Sequence, residues 1–129
     1  MRILDLNHVA ILVSDIDRSR RFYEEVLGLE PIPRPDFDFP GAWFRIGAPG
    51  PGGEALQELH LIARRPETFR PPRDRHFAFR IDSIEAAEER LRASGIDYAR
   101  PKKRPDGATQ IFFEDPDGHS VELFTPPGA

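Results

Sequence analysis

Cysteine is absent from this 129-residue chain, and so is any surplus of basic charge. Without cysteine the protein has no disulfide framework, no thiolate metal site and no cysteine nucleophile. The formal net charge is −4 and the pI is about 5.6. This balance argues against a nucleic-acid binder, because such proteins usually carry an excess of lysine and arginine.

Long hydrophobic runs are also missing. No apolar stretch approaches the roughly 20 residues that a helix needs to span a bilayer. The N-terminal stretch "MRILDLNHVAILVSD" is interrupted by Asp5, Asn7 and His8, which makes it a poor signal peptide. We therefore expect a soluble, cytoplasmic protein.

An internal repeat organises what is present. The stretch "NHVAILVSDIDRSRRFYEEVLGLEPI" from Asn7 matches "RHFAFRIDSIEAAEERLRASGIDYAR" from Arg75. Each begins His-x-Ala, continues as an apolar run, reaches an aspartate and then follows a helical period that ends at a glycine. The repeat predicts one domain over residues 1–129, with modules at about 5–63 and 75–126 and a Pro- and Arg-rich linker at 64–74.

Each module is predicted to contain a strand, a helix and three further strands, which makes an α+β fold. The predicted strands are Leu6–Val13, Leu29–Ile32, Ala42–Ile46 and Ala55–Ala63, then Phe77–Ile81, Ile96–Ala99, Thr109–Phe113 and Ser120–Phe124. The first of these is almost wholly apolar, which predicts a strand covered on both faces.

Polar residues and glycines mark the ends of the two helices. Asp15 or Asp17 can cap the first helix, and Asp82 is predicted to cap the second. Gly28 and Gly95 are expected to end them in the left-handed conformation that glycine adopts most easily.

Metal-ligating residue types recur at matching places in the repeat. His8 and His76 start the first strand of each module, while His60 and Glu122 lie on the last strand. A single histidine on a strand is usually a hydrogen-bonded core residue, but four such positions in a duplicated unit favour ligands. Imidazole nitrogens and carboxylate oxygens suit a borderline or hard divalent ion.

The chain resembles the vicinal oxygen chelate superfamily, which contains glyoxalases, bleomycin resistance proteins and extradiol dioxygenases. The stretches "HVAILVSDIDRSRRFYEEVLGLE", "RHFAFRI" and "FFEDPDGHSVELF" carry the resemblance. It implies two βαβββ modules in tandem that form a curved mixed sheet around a metal cavity, with ligands at His8, His76 and Glu122. It also implies a homodimer, whose cavities are built within one chain or across two.

The fourth ligand is open between two residues of one strand. Glu58 and His60 lie on the same face because strand side chains alternate. We favour His60, since "LHLI" aligns with "VELF" and makes His60 the counterpart of Glu122. His119 precedes the last strand in a turn, and we interpret it as structural or exposed.

The implied cofactor is one divalent ion per site: Zn, Ni, Mn, Co or Fe. Such an ion binds two adjacent substrate oxygens, and a carboxylate beside it, here Glu122, can move a proton. The resemblance thus implies an isomerase, epimerase or lyase acting on a small molecule. Two alternatives stay open: a metal-free drug-binding resistance protein and an Fe(II) extradiol-type dioxygenase.

Three further residues are candidates for substrate binding: Trp43, Arg45 and Phe112. Core packing explains the two aromatic residues equally well. Arg45 could hold a substrate carboxylate or form an outward ion pair. The loop "PRPDFDFPG" between two predicted strands has no assigned role.

Overall fold

A computed structural model describes residues 1–64, 69–72 and 74–128 of the chain. The chain divides into two compact units, Met1–Phe69 and Arg70–Ala129, so the division falls inside the predicted linker. Residues 65–68 and 73 of that linker lie outside the described part of the chain. Among the described residues, no helix has both the length and the apolar composition that a membrane crossing requires.

Unit 1 folds as strand, helix and three strands. These elements are β1 (His8–Leu12), α1 (Ile16–Arg21), a π-helical segment (Phe22–Val26) that continues α1, β2 (Glu30–Ile32), β3 (Gly41–Ile46) and β4 (Gln57–Ile62). The strand order is β1-β4-β3-β2, with β1 parallel to β4 and the other pairs antiparallel. A helical crossover is what lets β1 lie parallel to a later strand.

Unit 2 repeats the arrangement. Its elements are β5 (His76–Arg80), α2 (Ile84–Ala93), β6 (Lys102–Lys103), β7 (Thr109–Glu114) and β8 (Ser120–Thr125). The order β5-β8-β7-β6 and the single parallel pair, β5 with β8, match those of unit 1. The predicted α+β class and the two βαβββ modules are confirmed.

Each sheet presents one apolar face to its own core. In unit 1 the most deeply buried side chains of this face belong to Phe44, Leu59 and Leu61. In unit 2 the corresponding residues are Ile111, Phe113, Val121 and Leu123, and Leu91 of α2 is buried as well. Because strand side chains alternate, the residues between them face the other side of their own sheet. His8 and His60 lie on that side in unit 1, and His76 and Glu122 lie on it in unit 2.

The prediction that the first strand is covered on both faces is wrong. Ile11 is buried, but His8 and Ala10 on the other face are exposed. The face that carries His8 is apolar only at Ala10 and Leu12, so it does not have to be covered and can carry polar chemistry.

Two other local predictions are also corrected. The strand predicted at Ile96–Ala99 is only an isolated bridge from Tyr98 to Phe113, and the paired strand comes later, at Lys102–Lys103. Pro101 lies between them and has no N–H to donate, so it interrupts the ladder. The α2 cap is Ser83 rather than Asp82, since the Ser83 side chain accepts from the Ala86 N–H.

The remaining helix ends follow the sequence signals. Asp15 caps α1 by accepting a hydrogen bond from the Arg18 N–H at 3.1 Å. Gly28 and Gly95 have φ angles of 69° and 68°, the left-handed values expected at a helix C-terminus.

Candidate functional site

The site-facing side of the unit 1 sheet carries the first predicted ligand pair. In the strand register His60 lies between Ala10 of β1 and Trp43 of β3, and His8 lies beside Glu58. Ala10 is small, so it leaves open space on this face of the sheet next to His8 and His60.

His60 is held in an aromatic stack. Its ring lies 3.9 Å from the Trp43 ring with an interplanar angle of 1°, and 4.1 Å from the His8 ring with an angle of 16°. Because both faces of the imidazole are covered, His60 interacts with polar partners only through its ring edge, where the two nitrogens lie.

The environment keeps His60 neutral. Burial lowers the pKa of His60, and this effect outweighs the hydrogen bond from its Nε2 to Glu58 Oε2 at 3.3 Å, which raises it; the charges of His8 and Arg34 also lower it. Neutral imidazole is the form that coordinates metals. His8 donates from Nδ1 to Asn7 Oδ1 at 2.9 Å, so Nε2 is the ring nitrogen that would bind a metal.

Unit 2 carries the second pair. Glu122 is only 4% exposed, and its Oε2 lies 3.0 Å from His76 Nε2. Its other oxygen, Oε1, accepts a hydrogen bond from Gln110 Nε2 at 2.7 Å. Both carboxylate oxygens therefore have partners, and a buried charge of this kind is stable only with such compensation.

The turn before β8 fixes where Glu122 lies. Asp115 Oδ1 accepts hydrogen bonds from the N–H groups of Asp117 and His119, each at 2.9 Å, and Gly118 has a φ of 86° that favours glycine. His119 thus helps to close the turn through its backbone. The Asp-Pro-Asp-Gly sequence sets the β8 register and thereby directs Glu122 to the site face.

Strand register makes His60 the counterpart of Glu122. Ala10 pairs with His60 as Ala78 pairs with Glu122. By the same comparison Glu58 corresponds to Ser120, because these residues pair with His8 and His76. The register favours His60 over Glu58 as the counterpart of Glu122.

The predicted ligands thus lie in two pairs, His8 with His60 in unit 1 and His76 with Glu122 in unit 2. Within residues 1–64, 69–72 and 74–128, no three His, Asp or Glu side chains form a group placed to hold one metal ion. The ligand assignment itself stays a prediction.

The candidate substrate-binding residues have distinct surroundings. Phe112 contacts the His76 ring edge-on at 5.5 Å and lines a cavity of about 420 Å³ with Phe113, Glu114 and Ser120. Trp43 covers His60, as described above. Arg45 forms an ion pair with Glu30, its neighbour across the β2–β3 register, so a substrate would have to compete with that carboxylate.

Sequence reasoning missed Gln110, which holds the Glu122 carboxylate. Gln110 lies two residues before Phe112 and therefore on the same face of β7. Because residues two apart on a strand share a face, counting back by two from Phe112 would have found Gln110. Arg34, whose charge lowers the pKa of His60, was missed as well, and no periodic signal predicts it, because it lies in a loop.

Comparisons with known proteins match nearly the whole length of the chain. A family model described as Glyoxalase/Bleomycin resistance protein/Dioxygenase superfamily matches residues 5–123. The chain is 37% identical to glyoxylase I 4 of Arabidopsis thaliana, over 95% of this chain and 71% of that protein. It is 30% identical to the metallothiol transferase FosB of Bacillus licheniformis, over 96% and 77%.

A solved structure from Bacillus anthracis, assigned to the glyoxalase family, has the same fold. It superposes with a TM-score of 0.80 at 27% identity, and the match covers 98% of each chain.

Proposed function

The chain belongs to the Glyoxalase/Bleomycin resistance protein/Dioxygenase superfamily, and from this premise we propose that it is a metal-dependent enzyme of the glyoxalase type. Its reaction is an isomerisation, epimerisation or lyase step on a small molecule with two adjacent oxygen atoms. Relatives named as a glyoxylase and as a metallothiol transferase support an enzyme rather than a passive binder.

One observation carries the proposal: the buried Glu122 carboxylate against the His76 imidazole. His76 Nε2 and Glu122 Oε2 lie 3.0 Å apart, which is hydrogen-bonding distance. A divalent cation can bind to two groups placed in this way, since imidazole and carboxylate are both common ligands of such ions. The donor set therefore fits the metal that the family implies.

We assign the metal to His8, His60, His76 and Glu122. When bound, a divalent ion polarises adjacent substrate oxygens and stabilises negative charge that develops on them. Its identity among Zn, Ni, Mn, Co and Fe stays open.

The protein's own residues then have separate tasks. Glu122, buried and acidic, accepts and returns a proton at a carboxylate oxygen, and Gln110 holds that carboxylate in one orientation. Trp43 and Phe112 provide apolar walls beside His60 and His76, which exclude water from the reacting oxygens.

One pair of protein ligands is too few for a stable metal site. Two protein ligands hold an ion weakly, whereas catalytic sites usually supply three or more. We therefore propose that the ion uses all four predicted ligands and that the protein is a homodimer. We also propose that the protein is cytoplasmic.

Elemental analysis of protein purified without chelators tests the function, followed by calorimetric metal titration of stripped protein. We expect one divalent ion per chain. A measurement of the molecular mass at the same time separates a site within one chain from a site that forms only in the dimer.

The outcomes discriminate the alternatives. Iron as the bound metal, with consumption of oxygen on a catechol, would move the assignment to an extradiol-type dioxygenase. No uptake of any of the five metals would refute the metal enzyme and favour a metal-free, drug-binding resistance protein.

A further inference from the structure

The β2–β3 loop, residues 33–40, extends the aromatic stack of the site. Phe37 and Phe39 stack with their ring centres 5.2 Å apart, and Phe37 lies 6.2 Å from Trp43. Because Trp43 in turn covers His60, aromatic contacts run without a break from this loop to the predicted metal ligands. Phe37 is 43% exposed, so its outer face is open to solvent.

Arg34 sits inside this loop with its charge against the rings. Its guanidinium carbon lies 4.9 Å from the Phe37 ring centre and 5.0 Å from that of Phe39. Nη2 donates to the Phe39 carbonyl at 2.9 Å, but Nε is buried and has no hydrogen-bond partner among the described residues. Arg45 forms an ion pair with Glu30, whereas Arg34 has no carboxylate partner among the residues that the structure describes.

Gly41 brings Arg34 to the site face of the sheet. A Cβ at Gly41 would lie 3.0 Å from both Nε and Nη2 of Arg34, so the guanidinium occupies the space that a side chain would fill. Gly41 and Trp43 share a face of β3, and that face carries His60. In unit 2 the corresponding register position holds Gln110, whose side chain reaches Glu122.

A buried guanidinium N–H without an acceptor is costly, and such a group in a folded protein calls for an explanation. A ligand oxygen is the simplest acceptor here, since the planar arginine fork matches carboxylates and related oxyanions. The exposed ring of Phe37 and the partly exposed ring of Trp43 next to it suit the flat, apolar part of the same ligand.

We propose that Arg34 is the anion-recognition residue of this site and that the substrate carries a carboxylate next to a flat apolar group. The inference rests on the proposed function for its meaning, because it names the substrate class of that site. Arg34 binds the carboxylate, while Phe37 and Trp43 contact the apolar part.

Benzoate is the probe, and benzamide is its neutral counterpart of the same shape. The chain has one tryptophan, Trp43, so its fluorescence reports binding directly beside the loop. In chelator-stripped protein we expect saturable binding of benzoate, at least about tenfold tighter than that of benzamide, since charge-assisted hydrogen bonds to arginine are lost with the neutral ligand. Arg34→Gln should remove this preference.

Arg64→Gln is the matched control. The Arg64 guanidinium lies 4.0 Å from the same Phe39 ring, but it is 58% exposed and has Asp38 as a partner at 3.8 Å. This variant should bind benzoate within about twofold of the parent, since exposed ion pairs contribute little. Arg34→Lys keeps the charge without the fork and should give an intermediate affinity, which preserves the test if Arg34→Gln does not fold.

Equal binding of benzoate and benzamide by the parent would overturn the inference, as would unchanged benzoate binding by Arg34→Gln or, if that variant does not fold, by Arg34→Lys. Calorimetric metal titration of the same proteins separates the two proposals. Metal uptake without an Arg34-dependent preference refutes only the anion site. An Arg34-dependent preference without metal uptake supports the anion site and refutes the metal enzyme.

Discussion

Units 1 and 2 share one strand register but place different chemistry on it. Where unit 1 has neutral His60 stacked between two rings, unit 2 has the Glu122 carboxylate hydrogen-bonded on both oxygens. The sheet frame therefore decides where a side chain points, while the residue at that position decides its charge. A duplicated fold can in this way offer one pair of two imidazoles and one pair of an imidazole with a carboxylate.

The two units also orient their predicted metal ligands by different interactions. Ring stacking orients His60, whereas Gln110 orients Glu122 through a directed hydrogen bond. The register position of Gln110 is held in unit 1 by Gly41, so unit 1 has space there for Arg34.

The largest effect should come from Glu122→Gln. The amide keeps the shape of the side chain but removes the negative charge, so metal affinity should fall by at least about 100-fold, beyond the range typical of supporting residues. Calorimetric titration measures it. Glu89→Gln, an exposed carboxylate on α2, is the control and should bind metal like the parent. Equal affinities for both variants would remove Glu122 from the ligand set.

The second prediction tests the register argument in unit 1. His60→Ala should weaken metal binding more than Glu58→Ala, because His60 is the counterpart of Glu122. The same titration, run on both variants after circular dichroism has established folding, gives the order. If Glu58→Ala has the larger effect, the ligand role passes to Glu58.

The third prediction concerns the supporting amide. Gln110→Ala leaves Glu122 Oε1 without its donor, which should cost about 1–3 kcal/mol of unfolding free energy. Metal affinity should fall by roughly 10-fold to 100-fold, as for other residues that orient ligands. Urea unfolding and metal titration measure the two effects. Gln57→Ala, which replaces an exposed glutamine on β4, should change neither the unfolding free energy nor the metal affinity. If it lowers both as much as Gln110→Ala does, the effect comes from the strand propensity of the residue and not from the hydrogen bond to Glu122.

The smallest effect distinguishes the helix caps. Ser83→Ala should destabilise the protein by about 1 kcal/mol, the usual contribution of an N-cap side chain. Asp82→Ala should change the unfolding free energy much less, because Asp82 is exposed and does not cap α2. Urea denaturation of the two variants decides the matter, and a larger loss for Asp82→Ala would contradict the assignment of the cap.

Sequence periodicity predicted the features that follow from alternation along a strand. The repeated His-x-Ala start and the matching last strands led to the two βαβββ modules, which the structure confirms. The same counting predicted that Ala10 lies on the face of His8 and that Ala78 lies on the face of His76.

Loop and turn geometry could not be obtained in this way. Arg34 reaches the site face only because the β2–β3 loop folds back over Gly41, and this path depends on tertiary contacts. The choice of Ser83 over Asp82 depends on a shift of one residue, which composition does not resolve because both side chains are good caps.

The π-helical segment Phe22–Val26 explains a small irregularity of the repeat. Each helix cap follows its histidine by seven residues, Asp15 after His8 and Ser83 after His76, yet Gly28 comes one position later than Gly95 does in its own module. The extra residue therefore lies within the first helix, where the Leu27 N–H bonds to the Phe22 carbonyl five residues back. In genetic terms, the two halves differ here by a single codon. The wider π-helical turn accommodates the extra residue, so the capping aspartate and the final glycine keep their places at the two ends of the helix.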